Sequence, residues 1–291
     1  MVWSLIENAL GGGDEVPLAW KNRAKGVKSH IEDARAFTKA TVTGPLDDDI
    51  VFVHVPKCAG ITVDSAIRRT YRSVWEFEGK GIRRLHPGAA DRVGDLYEES
   101  NWTVRESVIA YHLAEPDTRY VSGHFQVSST LLERFADEFA FVTLLRDPVA
   151  RWISHFTYNK YTPKDHRYHI HQDIETFLET DRARGIGQIF LSYFTGTGEM
   201  DPVEQRESDA VRKAARENLS RFEVIGFVEE MDGFRRQFEE AFDAEIKLMR
   251  RNVNPASDEE KSFPPHVMKK IRDVCAADIE LYELARRQFG V

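Results

Sequence analysis

The chain predicts an α/β fold, a central and mostly parallel sheet in a three-layer sandwich with helices, and three observations carry that expectation. Two strand–loop–helix units recur, IVFVHV-PKCAG-ITVDSAIRRTYRS from Ile50 and FAFVTLL-RD-PVARWISHFTYNKY from Phe139, each opening on a continuous apolar run of the kind a strand buried on both faces requires. FEVIGFV at 222–228, followed by EEMDGFRRQFEEAF, reads as a further strand and helix that extend the sheet and cover one face. A length of 291 residues with 42% hydrophobic and 30% charged composition suits one α/β domain with additions, or two small ones, and buries a substantial core.

In chain order, residues 1–45 read as an accessory helical segment, broken at Gly11–Gly13 and ending near Gly44 and Pro45, with Trp3 and Trp20 available to pack it. The main domain then spans 46–291. Its first unit has the shape of a phosphate cradle. The amides of Cys58, Ala59, Gly60, Ile61 and Thr62 and the positive end of the following helix converge after the strand, and Lys57 adds a movable charge. It is not an ordinary nucleotide-triphosphate loop. That loop needs G-x-x-x-x-G-K-[ST], whereas here the lysine opens the loop and Gly60 is its only glycine.

Residues 73–118 read as irregular and polar, with Lys80, Arg83, Arg84 and His86 as a small basic cluster that reads as a solvated loop, the alternative being contact with an acidic acceptor such as a sulfated or carboxylated sugar. RYVSGHF then reads as a short strand ending at Gly123 and His124. In the second unit Asp147 is placed as an N-cap and Pro148 as the first helical residue, so Arg146 falls at the strand's C-terminal edge, where open α/β sheets bind ligands. The helix sets Arg151 and Ser154 three apart on one face, and Ser154 is in reach of an anion held by Arg146.

VPKCAGIT, YVSGHF and RDPVARWIS, in that order, resemble the motifs of sulfotransferases that use 3'-phosphoadenosine 5'-phosphosulfate, above all the group that includes the heparan sulfate 2-O-sulfotransferases. The resemblance covers roughly Asp49 to Phe234. It implies a P-loop-like α/β/α domain, a 5'-phosphosulfate held by the Lys57 loop, a 3'-phosphate held by Arg146 and Ser154, and His124 as catalytic base. It also implies a basic loop closing over the donor, onto which Arg250 or Arg251 of MRRNVNPASDEE falls, and an architectural part for GFVEEM at 226–231. The chain departs from the pattern at Cys58 and Ile61, where the family has hydroxyl residues, and at Ser122, which replaces a second histidine and leaves His124 without that neighbour.

Other histidines read as structural. His54 falls inside the first strand as a hydrogen-bonded core residue, and His155 faces away from Ser154 by about 100° around the helix. His166, His169 and His171 lie in a loop without an accompanying cysteine, and no metal site is expected. Residues 173–196 read as helical, TGTGEMDP at 195–202 as a loop or lid, 208–219 as a helix, and Pro265–Phe289 as a structural helix with an apolar side.

The net charge of −8 argues against general attraction to nucleic acid polymers or anionic membranes, so an anion site must be local. Two cysteines are too few for a disulfide framework and fit a reducing compartment. The N-terminal stretch lacks a signal-peptide pattern and no apolar run approaches a membrane span, which predicts a cytoplasmic protein. The combined expectation is transfer of a sulfuryl group to a hydroxyl of a carbohydrate or other small acceptor, releasing adenosine 3',5'-bisphosphate, with Lys57 and His124 as the catalytic pair. Two other readings are an ATP-dependent kinase-like phosphotransferase and a non-catalytic nucleotide-binding module.

Overall fold

A computed structural model describes residues 46–71, 81–197, 208–248 and 263–290. The accessory segment 1–45, Lys80, most of the expected lid at 195–202, and both Arg250 and Arg251 lie outside the described residues.

Five parallel strands form the expected sheet in the order β2-β3-β1-β4-β5, with β1 Ile50–Val53, β2 Ile82–Arg84, β3 Tyr120–Gly123, β4 Ala140–Leu145 and β5 Val224–Phe227. The chain runs from central β1 to one edge, returns through β3, then crosses β1 to reach β4 and β5. The connections therefore leave β1 and β4 toward opposite edges of the sheet, and such a switch leaves a crevice at the C-terminal ends of these two strands.

Both faces of β1 are buried, and alternate residues serve them. Ile50 and Phe52 join Val63 and Ile67 of α1 (Gly60–Thr70) and Phe234 and Phe238 of α10 (Met231–Phe242) on one side. Val51 and Val53 face the other layer with Phe125, Phe190 and Leu281. A run of apolar residues without alternation is what burial on both faces demands. A third apolar cluster, around Trp152, Phe156, Phe177 and Ile271, lies under α5 (Pro148–Lys160).

Several local expectations change. The stretch after β2 is helical, with α2 at Pro87–Tyr97 and α3 at Asn101–Ala114. The His86 imidazole and the Ser100 hydroxyl cap these helices by accepting from the amides of Ala89 and Trp102, so the prolines and glycines there punctuate helices and do not exclude them. Residues 173–196 divide into α6 (Ile174–Leu178), α7 (Asp181–Gly187) and α8 (Ile189–Thr195), because Thr180 caps a new helix and Gln188 breaks the regular backbone. The last helix is two, α11 (Pro265–Val274) and α12 (Ala276–Phe289), parted at Cys275. The expected helix at 208–219 is α9, Asp209–Leu219, capped by Ser208, and α4 (Ser129–Phe135) connects β3 to β4.

Candidate active site

The three motifs meet along one edge of the sheet. Register pairs Val53 with both Gly123 and Thr143, so the residues that follow β3, β1 and β4 emerge side by side. Arg146 Nη1 donates to the main-chain carbonyl of Lys57 at 3.3 Å, although the two residues are 89 positions apart.

The turn from β1 to α1 is strained. Lys57 (φ 67°) and Ala59 (φ 53°) both adopt the left-handed region, which costs roughly 1–2 kcal/mol for a residue with a Cβ. Left-handed residues within such a turn are the geometry of backbone nests that bind anions. No side chain caps α1 and no acidic residue stands in its first turn, so its positive end remains available to an external anion. Gly60 is required for a close approach, because a Cβ there would stand 2.0 Å from Cδ2 of His54.

The side chains of the loop divide. Lys57 is half-buried, with Nζ 3.8 Å from the centre of the Tyr158 ring. Burial first, then the neighbouring Arg146 charge, lowers its pKa to about 8. The Cys58 thiol points inward against the Pro56 carbonyl at 3.7 Å, and burial pushes it up to about 12, so only its main chain remains for the site. Ile61 is exposed, and the half-buried Thr62 donates its amide to Ala59 O at 3.0 Å.

Ser154 is half-buried on α5, whereas Arg151, one turn before it, is buried. Arg151 is fully buried, with Nη2 donating to Ile186 O, because α7 and α12 cover that side of the helix. The two are three apart on the helix as expected, but the burial of Arg151 leaves Ser154 as the one of the pair open to an external anion.

His124 is half-buried at the tip of β3, with Nδ1 2.6 Å from the carbonyl oxygen of His54. A carbonyl only accepts, so Nδ1 carries the hydrogen and Nε2 carries the lone pair. Burial lowers the pKa of this imidazole, which keeps it a neutral base. Its own carbonyl accepts from Arg105 Nη1 at 3.3 Å, and Arg105 Nη2 is anchored on Asp91 at 2.9 Å.

The expectation that His54 is a core residue inside the first strand is corrected. β1 ends at Val53, and His54 is not a core residue inside it: it is half-buried, and its ring centroid lies 4.1 Å from that of His124. His124 thus has an imidazole neighbour after all, supplied by the adjacent strand tip. Ser122 instead points inward and donates to the buried Asp64 carboxylate at 2.7 Å. That carboxylate also accepts from Tyr120 Oη at 3.0 Å and Arg68 Nε at 3.1 Å, with Arg84 Nη2 at 3.5 Å. Arg84 is thereby paired, as Arg83 is with Glu115 and Asp117, which leaves little of the basic cluster for an external partner.

A cleft of about 650 Å³ opens beside this edge, between the start of α2 and the 163–168 loop. Asp91, Arg105, Arg167 and Tyr168 line it, and Arg105 connects its wall directly to His124. In the same loop region the rings of His169 and His171 stand 4.5 Å apart, and His169 Nδ1 lies 2.9 Å from Thr162 O. Among the described residues no group of three or more His, Cys, Asp or Glu is placed to hold a metal ion, and no helix is long and apolar enough to cross a membrane.

Sequence reading missed His54, Tyr158, Arg105 and Asp91. No local signal marks His54, because the apolar run of the first strand continues through it; its place beside His124 follows only from the β1–β3 register. No protein-family model matches the chain, and no curated protein matches it. Among solved structures, mouse sulfotransferase SULT7A1 complexed with PAP is similar at 16% identity and a TM-score of 0.37, over 84% of this chain and 70% of that chain. At that TM-score the likeness leaves function to the side chains of this chain.

Proposed function

We propose that this protein transfers a sulfuryl group from 3'-phosphoadenosine 5'-phosphosulfate to a hydroxyl-bearing acceptor. The carrying observation is the convergence of Lys57, His124 and Arg146 on three adjacent strand tips from three sequence-distant motifs. The edge fits a ligand with anionic groups at two ends: an uncapped helix start and a nest-like turn with Lys57 at one position, and Arg146 with Ser154 after the neighbouring strand.

The donor, when bound, supplies a sulfuryl group already activated by its phosphate leaving group. Lys57, the amides of Cys58, Ala59, Gly60 and Ile61, and the Thr62 hydroxyl hold the 5' end and offset the charge that grows on the departing phosphate. Arg146 and Ser154 hold the 3'-phosphate, which distinguishes this donor from ATP. His124 Nε2 takes the acceptor proton as that oxygen bonds to sulfur and the bond from sulfur to the 5'-phosphate oxygen breaks. The Asp91–Arg105–Tyr168 cleft receives the acceptor, a carbohydrate or another small hydroxyl compound. Arg250 and Arg251 remain proposed donor contacts, and the proposed setting is cytoplasmic.

Thermal-shift titration separates the donor classes. Adenosine 3',5'-bisphosphate is expected to raise the melting temperature more than ATP with magnesium, and the reverse order would overturn the reading. Mass spectrometry of candidate acceptors should then show the gain of one SO3 group with wild type and its loss in His124→Ala.

A further inference from the structure

We propose that His54 is the positioning residue for His124, wedged between the anion cradle and the base so that it sets the plane and spacing of the base relative to the bound donor. This rests on the sulfuryl-transfer reading and assigns a part to a residue outside all three motifs' expected catalytic positions.

Three contacts carry it. The His54 carbonyl accepts from His124 Nδ1 at 2.6 Å, which selects the tautomer whose Nε2 is free. The two rings face each other with centroids 4.1 Å apart and planes 34° from parallel, a contact that limits how far the His124 ring can turn. The His54 ring also lies against Gly60, the first residue of α1, so closely that any Cβ there would collide with it. His54 therefore touches both halves of the site. The β1–β3 register explains the arrangement, since Val53 pairs with Gly123 and the next residues, His54 and His124, stand directly opposite.

The charge environment agrees. Burial first, then the facing His124 and Arg84, lowers the His54 pKa to about 3. His124 is lowered by burial; the hydrogen bond to the His54 carbonyl opposes this, Arg105 lowers it further, and Asp64 opposes. Both rings are neutral at pH 7, so His54 acts by contact and not as a second charge.

The test uses the full chain with 15N-labelled histidine. In wild type, His124 should show the Nδ1–H tautomer and titrate below 6.5. In His54→Ala its titration should move up toward that value as water replaces the ring, and in His54→Phe, which keeps a flat ring, it should stay near wild type. In the transfer assay His54→Ala should lower kcat about 10- to 100-fold, the scale of a displaced catalytic group, with adenosine 3',5'-bisphosphate affinity within about twofold, and His54→Phe should recover most of kcat. An Nε2–H tautomer in wild type, or a His124 titration unchanged in His54→Ala, overturns the proposal. The magnetic-resonance readings need no transfer, so they decide the positioning role even where the sulfuryl-transfer reading fails.

Discussion

The Arg146 guanidinium donates to the carbonyl of Lys57 at 3.3 Å, tying the tip of β4 to the turn after β1. The lowered pKa of Lys57 records its burial first and then the repulsion of the Arg146 charge, which an anion bound beside both would relieve. Lys57→Ala and Arg146→Ala should each weaken adenosine 3',5'-bisphosphate binding by about 1.5–3 kcal/mol, the usual range for a hydrogen bond to a charged group. Isothermal titration would read this directly, and an affinity unchanged by either substitution would remove that residue from the site.

The same lysine makes binding depend on pH. With Lys57 titrating at about 8 in the free protein, it is charged at pH 7 and neutral well above 8. An anion favours the charged form, so above pH 8 binding must take up a proton, and affinity should fall by up to about tenfold per pH unit. Titrations between neutral and alkaline pH should show this slope in wild type and not in Lys57→Ala.

Asp64 joins α1 to β3 and to the end of β2 through Tyr120, Ser122, Arg68 and Arg84. Removing a buried charged partner leaves its donors unsatisfied, so Asp64→Ala should cost about 3–5 kcal/mol of stability, whereas Asp64→Asn keeps some acceptors and should cost less. Urea unfolding midpoints would rank the two, and equal midpoints would refute this role for the carboxylate.

Acid should destabilise the fold. His54 and His155 are pushed from 6.5 down to about 3, chiefly by burial, and His124 is lowered as well. Between 6.5 and about 3 the unfolded chain therefore binds protons at these sites that the native state refuses, and stability falls with pH. Asp278 works in the opposite sense: burial raises it from 3.8 to about 7, so the native state takes up a proton first. Three imidazoles outweigh one carboxyl. The urea midpoint should drop from pH 7 to pH 5, and the drop should shrink in His54→Phe. A midpoint that rises on acidification would show Asp278 dominating.

Much of the molecule was legible in the chain because its signals are local. The unbroken apolar runs around Val51 and Val142 announce strands buried on both faces, Asp147–Pro148 announces a helix start, and Lys57, His124 and Arg146 each directly terminate a strand or follow its tip. The helices after β2 were misread because Pro87, Gly88 and Ser100 serve equally as loop residues and as helix-start residues, and only the packing of α2 on α3 selects between them.

By itself the sequence determined four of the five strands, the turn after β1 and the residue types available for binding an anion, since each depends on neighbours a few positions away; the short edge strand β2, Ile82–Arg84, lay in a stretch that reads as irregular. The tertiary structure alone decided that β1 lies between β3 and β4, that Arg151 is buried while Ser154 is only half-buried, and that His54 packs against His124. Those outcomes depend on strand order and register, which bring together residues 70 and 89 positions apart, and such pairings are set by how whole faces pack and not by any local run.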